Sequence, residues 1–277
     1  MVTDVFIGFD SAWTNNPRAP GAICAVGVQN GQTVSWHAPR LASFDDARAF
    51  IEMVRSPDGT TLIALDQPTL VPNSQSMRPV ERAVASVVSW LGGGVQAAHT
   101  GKVGMFCKDA PLWPFLRAVG AIEDPERART AAEGTYLIEV FPALALPSLD
   151  EKFAGRMCAP KYNPANRGKF KLADWLSVTD AVGREAHEVG CPALANWCHA
   201  TAEISKPRKA DQDKLDAGIC LAVALRWRQR PREKSIMIGD LSTGYMVTSA
   251  SPTMRRLLTS AAAKMGGVPV DGVSTAA

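Results

Sequence analysis

Two aspartates, Asp10 and Asp66, each close an apolar run and precede a turn, in "VFIGFDSAW" and "TTLIALDQP". A carboxylate at the end of a buried strand is costly unless a cation, a hydrogen-bond donor or solvent meets it. Either residue alone reads as a turn cap or an Asx-turn. The pair falls where open α/β sheets keep their ligand sites, beyond the carboxyl ends of parallel strands. Asp213 and Asp216 in "DKLDAGICLAVAL" are three apart and share one helix face near its start. The helix dipole favours acids in a first turn, which accounts for Asp211 and Asp213. It accounts less well for Asp216, because the helix beyond it is almost wholly apolar and burial would carry that carboxylate toward the same rim. Acids gathered there would repel each other and rise in pKa unless a divalent cation neutralised them. An all-oxygen donor set without a Cys or His cluster suits Mg²⁺ or Mn²⁺ rather than zinc. Two such ions could support in-line phosphodiester cleavage. Asp10, Asp66 and Asp216 are the expected metal ligands, and Asp213 and Glu139 are further catalytic candidates. Glu139 sits inside an apolar strand between Ile138 and Val140, so a ligand role and an ion-paired or solvent-facing role both stay open.

To bring these acids together the chain must build a sheet. "VFIGFD", "GAICAVGVQ" and "QTVSWHA" read as three strands, the last two joined by a hairpin at Asn30-Gly31. A helix capped by Ser43 follows. "TTLIALDQP" lacks alternation, as a central strand covered on both faces does. Helical patterns occupy "MRPVERAVASVVSWLGG" and "LWPFLRAVGA", and "TYLIEVFPALAL" is expected to be a strand that carries Glu139 and runs into Pro142. Helices are expected around "LADWLSVTDAVGREAHE", "CPALANWCHATAEI" and, most clearly, "ADQDKLDAGICLAVALRWRQR". "SIMIGDLSTGYMVTS" forms a hairpin, "TMRRLLTSAAAK" a short helix, and the final "VDGVSTAA" is expected to fray. Hairpin strands followed by crossover strands predict an α/β fold, a mixed sheet with helices packed on it.

The chain of 277 residues is 46% hydrophobic and 21% charged, an ordinary globular composition, and its net charge of +3 permits an anionic substrate without demanding one. The six cysteines form no CxxC pair, which points to free thiols and a cytoplasmic setting. No apolar run is long enough to span a bilayer, and the acidic N-terminus is unlike a signal peptide. Lys161, Arg167, Lys169 and Lys171 surround Tyr162 and Phe170, an interleaving that suits a nucleic-acid strand as well as a solvated loop. Arg78 lies with Glu81 and Arg82 on one helical face, read either as an exposed ion-pair face or as a phosphate contact.

Taken in order, Asp10 in "GFDSAW", Asp66 in "ALDQPTL", Arg78 in "MRPVER", "EVFPALALPSL", "KYNPANRGKFK" and "DKLDAGICLAVAL" resemble the uncharacterised family of predicted RNase H-like nucleases. The likeness runs from about Val5 to Tyr245. It implies one ribonuclease H-like domain over residues 1–277, with a mixed five-stranded sheet of order 3-2-1-4-5, helices on both faces and a C-terminal hairpin. Helical insertions would fill about 69–133 and 150–210. The resemblance places Asp10 on the first strand, Asp66 at the end of the fourth, Glu139 in the fifth-strand motif, and Asp213 and Asp216 on the last core helix. Gln67 departs from the small residue the family usually has there, which would crowd the site or add a substrate contact.

The leading expectation is a Mg²⁺- or Mn²⁺-dependent nuclease acting on DNA or RNA, with Arg78, Lys161, Tyr162, Arg167 and Lys169 as substrate-binding candidates. The alternative is a non-catalytic module that binds nucleic acid or a nucleotide. A phosphotransferase of the sugar-kinase and actin type ranks last, because "GFDSAW" has no downstream repeat.

Overall fold

A computed structural model describes residues 3–16 and 18–275. Strands β1 (Asp4–Asp10), β2 (Gly21–Gln29) and β3 (Gln32–Ala42) form an antiparallel meander. Asn30 and Gly31 join β2 to β3 with φ of 50° and 75°, the left-handed pair that a two-residue hairpin requires. Helix α1 (Phe44–Val54) starts on a Ser43–Asp46 capping box and leads to β4 (Thr60–Asp66), parallel to β1. Helices α2 (Pro79–Leu91), α3 (Leu112–Val119) and α4 (Pro125–Thr130) intervene before β5 (Gly134–Glu139), parallel to β4. Then come α5 (Pro142–Leu149), α6 (Leu172–Glu188), α7 (Pro192–Ala202) and α8 (Lys209–Gln229). A separate hairpin of β6 (Ser235–Asp240) and β7 (Gly244–Ser249) and helix α9 (Pro252–Lys264) complete the chain. The five-stranded sheet has the order β3-β2-β1-β4-β5, with β2 antiparallel to β1 and β4 parallel to it. This is the ribonuclease H-like topology.

The apolar runs of β1, β4 and β5 lack alternation because both sheet faces are covered. Phe6, Leu62, Ala64, Tyr136 and Ile138 pack with α6, α7 and α8, while Val5, Ile7, Phe9, Ile63, Leu65 and Leu137 pack with α1 and α3. A third core joins α2 and α9 to the β6–β7 hairpin. By the two-residue period of a strand, Asp10 and Asp66 belong to the α8 face.

Helix α8 packs directly against the β1 backbone at Gly8. A Cβ there would lie 2.1 Å from the Ala217 carbonyl oxygen and 2.5 Å from the Leu221 nitrogen. This approach fixes where the acids go. Asp10 is two residues, about 6.6 Å, further along β1. Asp213 is four residues, about 6 Å, back from Ala217 toward the start of α8. Strand end and helix start therefore meet at one level.

Two expectations change. β5 stops at Glu139, and "PALALPSL" is helix α5, opened by Pro142 at its first position, where proline is pre-set for a helix. A short apolar run does not by periodicity distinguish a buried strand from a buried helix. The tail is held rather than frayed as far as it is described: Val270 bridges Val273, Asp271 pairs with Arg232 and Arg255 at 2.6 Å each, and Thr275 Oγ1 donates to the Val268 carbonyl at 2.8 Å. Ala276 and Ala277 lie outside the described residues.

Replacing Gly8 by alanine drives a methyl group into the α8 backbone, which cannot yield as a side-chain tip can. Gly8→Ala is expected to cost about 3 kcal/mol, at the upper end for overpacking. Urea unfolding checks this, and a loss below about 1 kcal/mol would mean that α8 does not approach β1 so closely.

Candidate functional site

Asp10 and Asp66 are direct register partners at the carboxyl ends of β1 and β4. The Asp10 carboxyl also lies close enough to those of Asp66 and Asp213 to influence how both titrate. Asp10 is 8% exposed and Asp216 6%. Asp216 is held from two sides: Tyr162 Oη donates to its Oδ1 at 2.6 Å and Gln212 Nε2 to its Oδ2 at 2.7 Å. Lys209, four residues before Asp213 on α8, pairs with that carboxylate.

Burial is the largest influence on every one of these acids. It raises Asp10 well above the ordinary range, and the Asp216 and Asp66 charges push it further. Asp66 rises in the same way, through burial and then the charges of Asp216 and Glu139. Burial lifts Asp216 to about 6, against the pull of Tyr162, Lys209 and Gln212. Asp213 is also raised by burial, with Lys209 opposing. Tyr162 is driven well up by burial and by the neighbouring Asp216 charge, so its phenol stays a donor.

Glu139 belongs to a different arrangement. In register it pairs with Leu65, on the sheet face opposite Asp66. Arg78 Nη2 and Nη1 donate to its two oxygens at 2.5 and 2.9 Å, and Thr69 N donates at 3.2 Å. Arg78 also donates from Nε to Glu81 at 2.9 Å and from Nη1 to the Leu70 carbonyl at 3.0 Å. Burial opposes the Arg78 charge, but Glu139 and Glu81 hold the guanidinium above its ordinary pKa. Burial raises Glu139 to about 7, even with the Arg78 charge and its two charge-assisted bonds pulling the other way. Gly244 makes room for this network: its φ is 102° and a Cβ there would lie 2.7 Å from Arg78 Nη1.

Arg78 is thus neither on an exposed ion-pair face nor available to a phosphate. It is 0% exposed, and its guanidinium is turned to protein acceptors. The basic loop also divides. Tyr162 turns inward to Asp216, whereas Lys161 Nζ donates to the Gly92 carbonyl at 2.6 Å at the end of α2, away from the acids. Arg167 and Lys169 are exposed on the turn between them and α6. Gln67 does not reach outward to a substrate: it is fully buried, and its Oε1 accepts from Ser11 Oγ.

Two cavities of about 510 and about 380 Å³ share Asp10, Trp13, Gln96 and Lys209. The larger also takes in Arg18 and Asp213, the smaller Asp66, Glu139, Tyr162 and Asp216. Trp13, Arg18, Gln96, Lys209 and Gln212 line these cavities and were not among the expected site residues. Lys209 and Gln212 stand four residues before Asp213 and Asp216, a spacing that identifies them once the helix is known. Trp13 follows Asp10 by three, adopts φ of 60°, and its indole N–H donates to the Asp66 carbonyl at 3.2 Å. The Oε1 of Gln212 is buried without a hydrogen-bond partner. Among the described residues, no group of three or more His, Cys, Asp or Glu is arranged to hold a metal ion. No helix among them is long and apolar enough to cross a membrane.

Comparison with protein-family models, curated proteins and solved structures gave no match. The class is therefore defined by strand order alone: a ribonuclease H-like α/β fold, of a superfamily generally associated with nuclease activity and nucleic-acid binding. No sequence match supports membership in the family of predicted nucleases that its motifs resemble.

Two measurements follow. Arg78→Met leaves two buried carboxylates without their cation and is expected to cost about 3–5 kcal/mol in urea unfolding. A change below about 1 kcal/mol would show the network to be solvated. In metal-free buffer, Asp216 titrates at about 6 in the folded state, against about 3.9 in an unfolded chain. Between those values the folded state keeps a proton that the unfolded chain has lost, so this group's contribution to stability falls as pH rises. Asp10→Asn removes an acid that burial and the Asp216 and Asp66 charges hold well above the ordinary range, and its Tm is expected to gain on the wild type as pH increases from about 4 to about 7, followed by circular dichroism. A Tm difference that stays constant with pH would contradict the charge coupling.

Proposed function

We propose that the protein is a divalent-metal-dependent nuclease, hydrolysing phosphodiester bonds of nucleic acid at the rim where β1, β4 and α8 meet. The observation that carries this reading is the face-to-face placement of Asp10 and Asp66 at neighbouring strand ends, with Asp216 coupled to both. Buried acids whose mutual repulsion is only partly relieved favour a cation, and every candidate donor is an oxygen. The unpartnered Gln212 Oε1 adds one more oxygen of the kind such an ion accepts. Asp216 has spare capacity, since each carboxylate oxygen carries a second lone pair beyond the contact it already accepts.

Asp10, Asp66 and Asp216 would hold Mg²⁺ or Mn²⁺, with Asp213 beside them. The ion would activate a water and stabilise charge on the scissile phosphate. The chain's own groups have separate tasks. Tyr162 and Gln212 orient Asp216, and Trp13 offers an aromatic face on which a base can stack. Arg18 in the larger cavity and the exposed Arg167 and Lys169 are suited to phosphate. Glu139 acts at one remove, setting the charge behind Asp66 while Arg78 balances it.

A second reading is a module of the same fold that binds nucleic acid or a nucleotide without cutting it. The contacts that Tyr162 and Gln212 already make to the two Asp216 oxygens and the lack of a ready-made metal group among the described residues favour it. Nuclease assays with Mn²⁺ on DNA and RNA, paired with thermal shift, separate the two. Asp10→Asn and Asp66→Asn are expected to reduce cleavage to that of an enzyme-free control, with Tm unchanged or raised. Cleavage at full rate in either variant sinks the assignment. Wild-type protein that neither cleaves nor gains Tm with millimolar Mn²⁺ supports the binding module, because a saturating ligand at about a hundred times its Kd adds about 2.7 kcal/mol.

A further inference from the structure

Lys209 opens α8, where a cation is locally disfavoured because the amino end of a helix already carries partial positive charge. The acids beside it offset that cost. Its ammonium pairs with Asp213, and its charge is felt by Asp10, Asp66 and Asp216. The side chain is 52% exposed, so it can swing away without disturbing the core. Among the described residues, it is the one Lys or Arg that lines the cavity containing Asp66 and Asp216, and it also lines the adjoining cavity.

We propose that Lys209 is the resident counter-ion of the carboxylate cluster, holding its negative charge while no metal is bound and competing with a divalent cation for it. The inference rests on the metal-dependent reading above and deepens it. Metal-free, the ammonium paired with Asp213 offsets part of the charge that burial makes costly. An incoming divalent ion meets a like charge beside its own ligands, and its binding favours a Lys209 side chain turned outward from the cluster. Lys209 therefore sets the cation concentration at which the site fills, and it keeps the site neutralised below that concentration.

The test is Mn²⁺ binding to the full chain, read from the electron paramagnetic resonance signal of the free ion, in wild type, Lys209→Met and Lys209→Arg. Lys209→Met keeps the length of the side chain without its charge, and is expected to lower the Mn²⁺ Kd at least tenfold. Lys209→Arg keeps the charge and is expected to stay close to wild type. Equal or weaker Mn²⁺ binding in Lys209→Met overturns the proposal while leaving the metal-dependent reading intact. Absence of Mn²⁺ binding in all three proteins overturns both. Should Lys209→Met not fold, Lys209→Gln replaces it with the same expected and overturning results.

Discussion

Charge taken out of water has to be answered inside the protein, and this fold answers it in two ways within one neighbourhood. Behind the sheet edge, Arg78 stands between Glu81 and Glu139 with its donors matched to their oxygens. That network is closed: two carboxylates share one guanidinium, and Thr69 N and Ala98 N donate to the acids as well. At the rim, the Tyr162 phenol and the Gln212 amide donate to Asp216, and the partly exposed Lys209 pairs with Asp213 beside it. The first arrangement is what a structural network looks like. The second is left with unanswered charge, and perturbed acids in a cleft mark functional sites more often than structural ones.

The open arrangement depends on the packing of α8 across β1. A side chain at position 8 would hold the helix away from the strand and move the first turns of α8 off the strand ends. Because the crossing is that close, acids more than two hundred residues apart in sequence come to one level without any loop having to place them. A strand end and a helix turn are stiffer supports than a loop, and a site that must hold oxygens in fixed relation benefits from that.

Much of this was legible from residue patterns, for local reasons. An acid that ends an apolar strand and a helix whose apolar face begins at Asp216 are both readable from a few neighbouring residues, and hairpin and crossover signals give a mixed sheet, whose strand order was implied by the family resemblance alone. Arg78 was not legible, because its burial is decided by Glu139, 61 positions away, and by the space that Gly244 leaves. The end of β5 was misread because apolar runs look alike in strand and buried helix. The segment from Lys161 to Lys169 looked like one basic surface. Composition carries no direction, and in space Lys161 caps α2 while Tyr162 turns to the acids. Gln67 departed from the family pattern, and its consequence lay inward, at Ser11. Lys209 and Gln212 are placed beside Asp213 and Asp216 by i, i+4 spacing, a relation that holds only once the helix is known to start at Lys209.

A rim that works against its own folding must be carried by stability located elsewhere, and α8 shows where. Its last turn carries Arg226 and Arg228, favourably placed at the negative end of the helix dipole. Arg226 pairs with the buried Glu185 of α6, and Arg228 reaches Asp4 at 3.1 Å and the Ala128 carbonyl at 2.6 Å. Between them, the indole of Trp227 donates to the Pro125 carbonyl at 2.7 Å. That end of the helix therefore ties α4, α6 and the start of β1 together, whereas the opposite end gathers acids. The middle, from Leu215 to Leu225, is buried throughout. One rigid rod links the two ends, so a cost at the amino end is set against packing and pairing at the carboxyl end, and neither set of residues has to serve both purposes. Strain stored at a site persists when the surrounding structure over-determines it, and here the carboxyl half of α8 supplies that determination.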